Sequence, residues 1–344
     1  MNNKSVKVAV VGATGAVGEA MLSILAERKF PAGEVIALAS ERSAGGVVEF
    51  GDDELIVRDL ADFDPAGVDI ALFSAGGAAS KEFAPKFAKA GAVVIDNSSA
   101  FRYDRDVPLV VSEVNPEAIA QRPRGIIANP NCSTMQMLVA LAPIHRAVGI
   151  ERINVATYQS VSGAGRSALE ELGRQTAALL RFQDAEPQRF PLQIAFNLIP
   201  QIDDFQDNGY TKEEMKLVWE TRKILGDDAI QVNATAVRVP VFYAHSEAVN
   251  VETREKIGAD AVRELLRSAP GVEVVDTATA GGYPTPVTHA SGRDPVYVGR
   301  IREDVSHPRA INLWIVADNI RKGAALNAVQ IAELLLAQPG FGQR

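Results

Sequence analysis

The N-terminal segment constrains the fold most strongly. Val6–Val11 is a short run rich in β-branched residues, and the turn Gly12–Gly18, with the sequence GATGAVG, follows it directly. Met21, Leu22 and Leu25 then recur at helical spacing. Strand, glycine turn and helix in this order are typical of dinucleotide-binding folds, where glycine lets phosphate approach the backbone at the helix N-terminus. Because the spacing is G-x-x-G-x-x-G and not G-x-G-x-x-G, a structural βα turn is the alternative.

The end of the next strand-like run, Val35–Ala39, bears on the choice of cofactor. Glu41, Arg42 and Ser43 follow it, at the position where such folds meet the adenosine ribose. An acidic residue there favours a ribose 2′-hydroxyl, whereas an arginine accommodates a 2′-phosphate. Since Ser43 adds a hydroxyl donor beside the guanidinium, we expect NADP. A solvated loop charge is the alternative for Arg42.

Strand-like and helical runs alternate up to residue 128. The strand-like runs are Asp69–Ser74, Ala92–Asp96, Leu109–Ser112 and Gly125–Ala128, and a helical pattern covers Ala78–Ala90. Alternation of this kind predicts an α/β, Rossmann-like domain with a mostly parallel, doubly wound sheet. Binding loops lie at the carboxyl ends of such strands, where Arg102 would be able to hold an anion. A solvated loop arginine is the alternative.

The second part of the chain has longer strand-like runs and fewer helices. These runs are Ile153–Val161, Asn233–Pro240, Ala248–Glu252 and Ala310–Ala317. They predict an α+β domain with a mixed or antiparallel sheet. The long loops Gln183–Tyr210 and Thr279–Pro295 are expected to be functional or to make subunit contacts. The amphipathic helix Asn327–Ala337 is expected to return to the first domain.

The only cysteine of the chain, Cys132, stands directly before an apolar helical pattern. The apolar positions are Met135, Leu138, Val139 and Ala142. They predict a helix that begins near Ser133, with Cys132 at its N-terminal end. Unpaired backbone N–H groups and the positive end of the helix dipole favour a thiolate there. Cys132 is therefore a candidate nucleophile, and an inert buried cysteine is the alternative.

Composition excludes several classes of protein. The chain has 344 residues, 47% of them hydrophobic and 23% charged, which suits two globular domains and disfavours a disordered chain or a coiled coil. A net charge of −8 gives no basic field for nucleic acid. A single cysteine excludes an intramolecular disulfide and suits a reducing compartment. No apolar run reaches the roughly 18 residues of a membrane span, so we expect a cytoplasmic protein without a membrane partner.

Five motifs, in the same order along almost the whole chain, resemble those of the aspartate-semialdehyde dehydrogenases. The motifs are the strand and turn 8–18, the segment 129–134 (NPNCST), the segment 159–165 (QSVSGAG), the pair 238–241 (RVPV) and 245–247 (HSE), and the segment 318–325 (DNIRKGAA). The resemblance implies a division into a dinucleotide-binding domain, 1–128 with the helix 319–344, and a catalytic and dimerisation domain, 129–318.

The resemblance also implies a reaction. NADPH would drive the reductive dephosphorylation of L-aspartyl 4-phosphate to aspartate 4-semialdehyde and phosphate, in the route to lysine, threonine and methionine, in a homo-oligomer that is usually a dimer. The alternatives are N-acetylglutamyl-phosphate reductase, the more distant glyceraldehyde-phosphate dehydrogenase, and a catalytically silent homologue that binds a dinucleotide. Because Cys132, Gln159, Arg238 and His245 are all present, silence is disfavoured.

Matching the motifs position by position gives each site residue an expected role. The catalytic positions are Cys132 as nucleophile, His245 as acid/base residue and Gln159 as the residue that orients the thioester. The substrate positions are Arg238 for the α-carboxylate, Glu214 for the amino group, and Arg102 with Lys216 for phosphate. The cofactor positions are Gly12, Ala13, Thr14, Gly15, Ala16, Val17, Arg42, Ser43, Ser162, Gly163 and Asn319. No metal is expected.

Two of these assignments depend on local structure. Arg238 and His245 are seven residues apart, so an unbroken strand would place them on opposite faces. Pro240 cannot donate to a sheet ladder, and a break there would allow both side chains to enter one site. The choice of Glu214 over Glu213 is open, because both lie in a charged helical run whose alternative is a solvated face.

Overall fold

The computed structural model of the chain describes residues 5–342. Its strands are β1 Val6–Val11, β2 Ala32–Ala39, β3 Val47–Phe50, β4 Asp53–Ile56, β5 Arg58–Asp59, β6 Ile70–Phe73, β7 Val93–Asp96, β8 Ile126–Ala128, β9 Ile150–Gln159, β10 Gln231–Arg238, β11 His245–Thr253, β12 Val272–Val274, β13 Val296–Glu303 and β14 Ala310–Ala317. Its α-helices are α1 Ala16–Glu27, α2 Gly77–Ala90, α3 Cys132–Val148, α4 Arg166–Leu180, α5 Lys212–Leu225, α6 Ala259–Arg267 and α7 Leu326–Leu336.

The chain divides into two compact units. The first comprises Met1–Asn131 and Ala324–Arg344, and the second comprises Cys132–Gly323. The boundaries expected from the sequence, at 128 and 319, precede these by a few residues. The helix α7 belongs to the first unit.

The first unit is built on a parallel sheet in the order β5-β2-β1-β6-β7-β8. Its central strands are apolar on both faces because helices cover them, and Val8, Val10, Ile70 and Leu72 are fully buried. The chain runs from β1 to β2 on one side and then to β6 on the other, so the strand order reverses at the carboxyl end of β1. Ligands bind at such a switch point, and here it is followed by the glycine turn. The prediction of a Rossmann-like domain is confirmed.

The second unit contains a mixed sheet in the order β10-β9-β11-β14-β13-β12. β9 and β10 are parallel, as are β12 and β13, and the other neighbouring pairs are antiparallel. The helix α3 packs on this sheet, against β9, β11, β13 and β14. Its predicted apolar positions are buried, with Met135 and Leu138 fully enclosed. The predicted mixed sheet is confirmed.

One predicted strand is wrong. Leu109–Ser112 makes a single bridge, between Leu109 and Ala128. The N–H of Val111 instead donates to Asn115 Oδ1, and that of Ser112 donates to Asn327 Oδ1, each at 2.9 Å. Side-chain acceptors have replaced the sheet ladder here. In the part of the chain that the structure describes, no helix is long and apolar enough to cross a bilayer.

Candidate active site

Cys132 is the first residue of α3, as the apolar periodicity predicts. Its side chain is partly exposed. The first backbone N–H groups of a helix have no acceptor within the helix, and they point toward the thiol end together with the positive end of the dipole. This position stabilises a thiolate. Arg238 lies near enough to Cys132 for the two to interact electrostatically, which adds to the preference for negative charge on sulfur.

Ser160 brings Arg238 and His245 together. β10 ends at Arg238 and β11 begins at His245, so the chain does break around Pro240. Arg238 Nη1 donates to the Ser160 carbonyl at 2.8 Å, and the Ser160 N–H donates to His245 Nδ1 at 3.1 Å. Both side chains border Gly163, where a Cβ would lie 3.1 Å from Arg238 Nη1 and 3.3 Å from His245 Nε2. One peptide segment therefore positions a cation and an imidazole side by side.

The hydrogen bond from Ser160 fixes the tautomer of His245. A backbone N–H can only donate, so Nδ1 is the unprotonated nitrogen and Nε2 carries the hydrogen of the neutral ring. Complete burial, assisted by the nearby Arg238 cation, lowers the pKa of His245 to about 3. Among the described residues, Nε2 has no hydrogen-bond partner although it is buried. His245 is thus a neutral ring that presents an N–H donor to the site.

Gln159 is oriented by Glu213. Gln159 Nε2 donates to Glu213 Oε1 at 3.1 Å and to Thr157 Oγ1 at 3.3 Å. Gln159 is the register partner of Arg238 across β9 and β10, so their side chains leave the sheet on the same side. Glu213 is itself buried, with 5% of its surface exposed. The carboxylate of Glu213, the amide of Gln159 and the guanidinium of Arg238 therefore belong to one site.

Glu214, the expected substrate contact, has both carboxylate oxygens hydrogen-bonded to the backbone around the start of α5. Glu214 forms a capping box at the start of α5, where its Oε2 accepts the Thr211 N–H at 2.7 Å. Its Oε1 accepts the Ala236 N–H at 2.9 Å. Each oxygen accepts one backbone N–H, which gives Glu214 a structural role at the start of α5. Glu213, the alternative left open by the sequence, is the residue that contacts Gln159.

Lys216 is held by two carboxylates. Its Nζ donates to Asp203 Oδ2 at 2.8 Å and to Glu213 Oε2 at 2.9 Å. Burial alone would lower the pKa of Lys216, but Glu213 and Asp203 outweigh burial and raise that pKa. The lysine remains a cation, and its charge is paired with the carboxylates of Asp203 and Glu213. The bond to Glu213 Oε2 orients that carboxylate.

Asn319 organises the hydroxyl groups beside His245. Its Oδ1 accepts from Ser160 Oγ at 3.1 Å, from Ser162 Oγ at 3.0 Å and from the Ala244 N–H at 3.0 Å. The Ala244 N–H can only donate, so the oxygen of the Asn319 amide faces these groups and the NH₂ faces away. Ser162 and Asn319, both expected cofactor contacts, are therefore directly joined.

The glycine turn of the first unit is suited to close approach by a ligand. Gly12 has a φ of 86°, and a Cβ there would lie 2.8 Å from the Ser74 carbonyl carbon. A Cβ at Gly18 would lie 2.1 Å from the Gly12 carbonyl oxygen, so the start of α1 packs on the turn only without a side chain. Gly15 precedes α1 and leaves its first N–H groups available to phosphate. The turn fits the diphosphate of a dinucleotide.

The remaining predicted residues of the first unit occupy two loops. Arg42 and Ser43 lie on the short turn after β2, with Arg42 exposed. Arg102 follows β7 and is buried, and its Nη2 donates to the Asn97 carbonyl at 2.7 Å. Both loops follow the carboxyl ends of parallel strands, where binding residues are expected. No cluster of potential metal ligands occurs within residues 5–342.

Two family models match the chain. The model described as the semialdehyde dehydrogenase NAD-binding domain matches residues 7–122, and the one described as the semialdehyde dehydrogenase dimerisation domain matches residues 141–322. The first falls on the unit with the glycine turn. The second falls on the unit with the mixed sheet and the Cys132, Arg238 and His245 side chains.

Several relatives are similar over nearly their full length. An aspartate-semialdehyde dehydrogenase of Legionella pneumophila is 61% identical, over 97% of this chain and 96% of the relative. Aspartate-semialdehyde dehydrogenase 2 of Vibrio cholerae is 62% identical, over 96% of this chain and 97% of the relative. The crystal structure of the Vibrio cholerae aspartate semialdehyde dehydrogenase II complexed with ASA has a TM-score of 0.95 and 60% identity, and covers 97% of this chain and 99% of that one.

The likeness extends to a distant structure with a bound cofactor. The aspartate semialdehyde dehydrogenase of Candida albicans with NADP has a TM-score of 0.74 at 25% identity, over 97% of this chain and 99% of that one. These comparisons agree with the resemblance carried by the five motifs and not with an acetylglutamyl-phosphate reductase. The chain belongs to the aspartate-semialdehyde dehydrogenase family.

Proposed function

We propose that this enzyme reduces L-aspartyl 4-phosphate to L-aspartate 4-semialdehyde with NADPH, through a thioester on Cys132. The observation that carries the proposal is the arrangement of the second unit, in which Cys132 heads α3 near Arg238, and Ser160 binds both Arg238 and His245. A nucleophile, an anion-binding cation and a hydrogen-bond donor are the groups that acyl transfer requires.

The thiolate of Cys132 attacks the acyl phosphate carbon and phosphate leaves, which gives a thioester. NADPH, when bound, supplies the hydride that reduces this thioester. The resulting alkoxide collapses to the aldehyde and expels the thiolate of Cys132, so reduction of the thioester needs no proton, and the one proton consumed overall is taken up by the departing phosphate. Stabilisation of the negative oxygen is therefore the main demand on the protein.

His245 meets that demand as a neutral donor. Its Nε2–H is buried and lacks a partner among the described residues, while Nδ1 is held by Ser160. The ring donates a hydrogen bond to the tetrahedral oxyanion at both stages without becoming charged. This role refines the acid/base role implied by the resemblance, since the lowered pKa of His245, about 3, disfavours a protonated ring.

The substrate is held by groups of opposite charge. Arg238 binds the α-carboxylate, and Glu213, in place of Glu214, binds the α-amino group. Gln159 lies between them through its hydrogen bond to Glu213 and orients the acyl group. Arg102 and Lys216 are the proposed phosphate residues, with Lys216 sharing its charge with Glu213 and Asp203.

The preference for NADP over NAD is also a proposal. Arg42 and Ser43 on the turn after β2 provide a guanidinium and a hydroxyl for a ribose 2′-phosphate. The proposed phosphate contacts lie in the turn Gly12–Val17, and the proposed nicotinamide contacts are Ser162, Gly163 and Asn319. The enzyme is proposed to act in the cytoplasm as a homodimer formed through the unit that matches the dimerisation domain.

Phosphate-dependent reduction of NADP with aspartate semialdehyde tests the function, with N-acetylglutamate semialdehyde assayed in parallel. We expect turnover only with the first aldehyde, and only with phosphate or arsenate present. Equal or faster turnover of the acetylated aldehyde would identify the alternative reductase. Light scattering of the purified protein, with a dimer mass expected, tests the assembly.

A further inference from the structure

Ala244, the residue before His245, has a strained backbone. Its φ of 70° lies in the left-handed region, which an L-residue with a Cβ adopts at a cost. Ala244 is fully buried and packs with Ala290, Tyr297 and Val316. A strained conformation persists where neighbouring groups enforce it. Because His245 is the next residue, the backbone of Ala244 sets the direction from which the imidazole enters the site.

The Asn319 side chain contacts the backbone of this strained residue directly. Its Oδ1 accepts the Ala244 N–H at 3.0 Å. The same oxygen accepts from Ser160 Oγ at 3.1 Å, and Ser160 Oγ lies 3.0 Å from His245 Nδ1. The single hydroxyl hydrogen of Ser160 can go to Asn319 or to His245 Nδ1 but not to both, so the firm link from Asn319 to His245 is the Ala244 peptide, and Asn319 also fixes the hydroxyl that lies against the ring.

We propose that Asn319 is a positioning residue that holds His245 in the orientation needed for oxyanion stabilisation. This inference rests on the proposed function of His245 and adds a second role to the proposed cofactor contact. The two roles use different atoms of the side chain. Oδ1 faces Ala244 and the serines, and the NH₂ group, which faces away from them, remains available for the cofactor.

The separation of roles predicts different effects for two substitutions. Asn319→Ala removes the acceptor oxygen, and we expect kcat at saturating NADP and semialdehyde to fall on the order of 100-fold, as for a misplaced catalytic group. Asn319→Asp keeps an oxygen that accepts the same three donors and loses the NH₂. We expect this variant to keep a kcat at least 10-fold above that of Asn319→Ala, with a raised KM for NADP.

A second-site change tests whether the effect passes through residue 244. Glycine adopts the left-handed region without the cost that alanine bears. Ala244→Gly combined with Asn319→Ala should therefore recover kcat about 5- to 30-fold, the factor that corresponds to the left-handed penalty. In the otherwise unaltered enzyme, Ala244→Gly should change kcat less than 3-fold, because Asn319 already enforces the conformation.

A readout that does not need turnover separates this inference from the proposed function. The ¹⁵N resonances of the His245 ring, assigned by comparison with His245→Gln, should show the Nε2–H tautomer with a hydrogen-bonded Nδ1 in the unaltered protein, and a shifted Nδ1 resonance in Asn319→Ala, because a displaced ring weakens its bond to the Ser160 N–H. If the unaltered protein has no dehydrogenase activity, the proposed function fails while this spectrum still tests the positioning. A full kcat for Asn319→Ala, an unchanged ring spectrum, or no recovery by Ala244→Gly would overturn the inference.

Discussion

Gly323 lies directly against Cys132. A Cβ at residue 323 would fall 2.7 Å from the Cβ of Cys132 and 3.3 Å from its Cα. Real Cβ atoms do not approach one another so closely, so a side chain at 323 must displace either the start of α3 or the segment that carries residue 323. The absence of a side chain at Gly323 is therefore a condition for the position of the nucleophile.

Gly323→Ala should lower kcat on the order of 100-fold, because a shift of about 1 Å at a reacting group costs that much. Steady-state kinetics at saturating substrates measures the effect. Gly173→Ala is the matched control, since Gly173 lies within α4 and a Cβ there has no neighbour within 4 Å. The control should keep its kcat, and a fully active Gly323→Ala enzyme would show that Cys132 tolerates displacement.

Arg42→Ala should erode the preference for NADP. A hydrogen bond to a charged group contributes roughly 1.5 to 3 kcal/mol, so kcat/KM for NADP should fall about 10- to 150-fold while that for NAD changes little. The ratio of the two kcat/KM values is the measurement. Arg105→Ala, a change at another exposed arginine of the same unit, serves as control. Equal use of NADP and NAD by the unaltered enzyme would instead show that Glu41 dominates the loop.

The neighbours Glu213 and Glu214 should separate into a binding residue and a stability residue. Glu213→Ala should raise the KM for semialdehyde about 10-fold or more, because the α-amino group loses a charged partner. Glu214→Ala removes the acceptor of two buried backbone N–H groups and should lower the free energy of unfolding by roughly 1 to 3 kcal/mol. Denaturant unfolding and steady-state kinetics on both variants check this, and a reversed pattern would restore Glu214 to the substrate site.

The charged run that contains Glu213 and Glu214 allows a helix cap to be predicted from the sequence, but not a contact with a distant residue. Thr211 and Glu214 form a T-x-x-E pattern, which is the signature of a capping box, so local spacing alone predicts the structural role of Glu214. The contact between Glu213 and Gln159 cannot be predicted in this way, because it joins residues 54 positions apart. Local patterns predict caps and helix starts, and they cannot rank two adjacent carboxylates for a long-range site.

The same distinction holds elsewhere in the chain. The start of α3 at Cys132 follows from apolar periodicity, and the Rossmann-like unit follows from alternating elements and the glycine turn. The strand expected at Leu109–Ser112 failed because Asn115 and Asn327 supply side-chain acceptors to its backbone, and Asn327 is remote in sequence. The roles of Ser160 and Gly323 likewise arise only when distant segments of the second unit meet.

His245 should make the protein sensitive to acid. The folded-state pKa is lowered to about 3 from 6.5, so the unfolded chain binds a proton that the folded chain rejects between these values. The stability contributed by the neutral ring is present above pH 6.5 and is lost as the pH falls toward 3, by up to about 5 kcal/mol. His245→Gln cannot titrate, so its unfolding free energy should vary less than that of the unaltered enzyme over this range. Denaturant unfolding at several pH values measures both proteins. If their unfolding free energies changed equally with pH, the buried neutral ring would be refuted.

The central claim is that Cys132 carries the acyl group. The most direct measurement mixes the enzyme with semialdehyde and NADP in the absence of phosphate and arsenate, and follows NADPH and the intact mass of the protein. We predict a burst of one NADPH per site and a mass increase equal to one aspartyl group, located on the peptide that contains Cys132. Cys132→Ala should show neither. A burst without the adduct, or an undiminished burst in Cys132→Ala, would contradict the account.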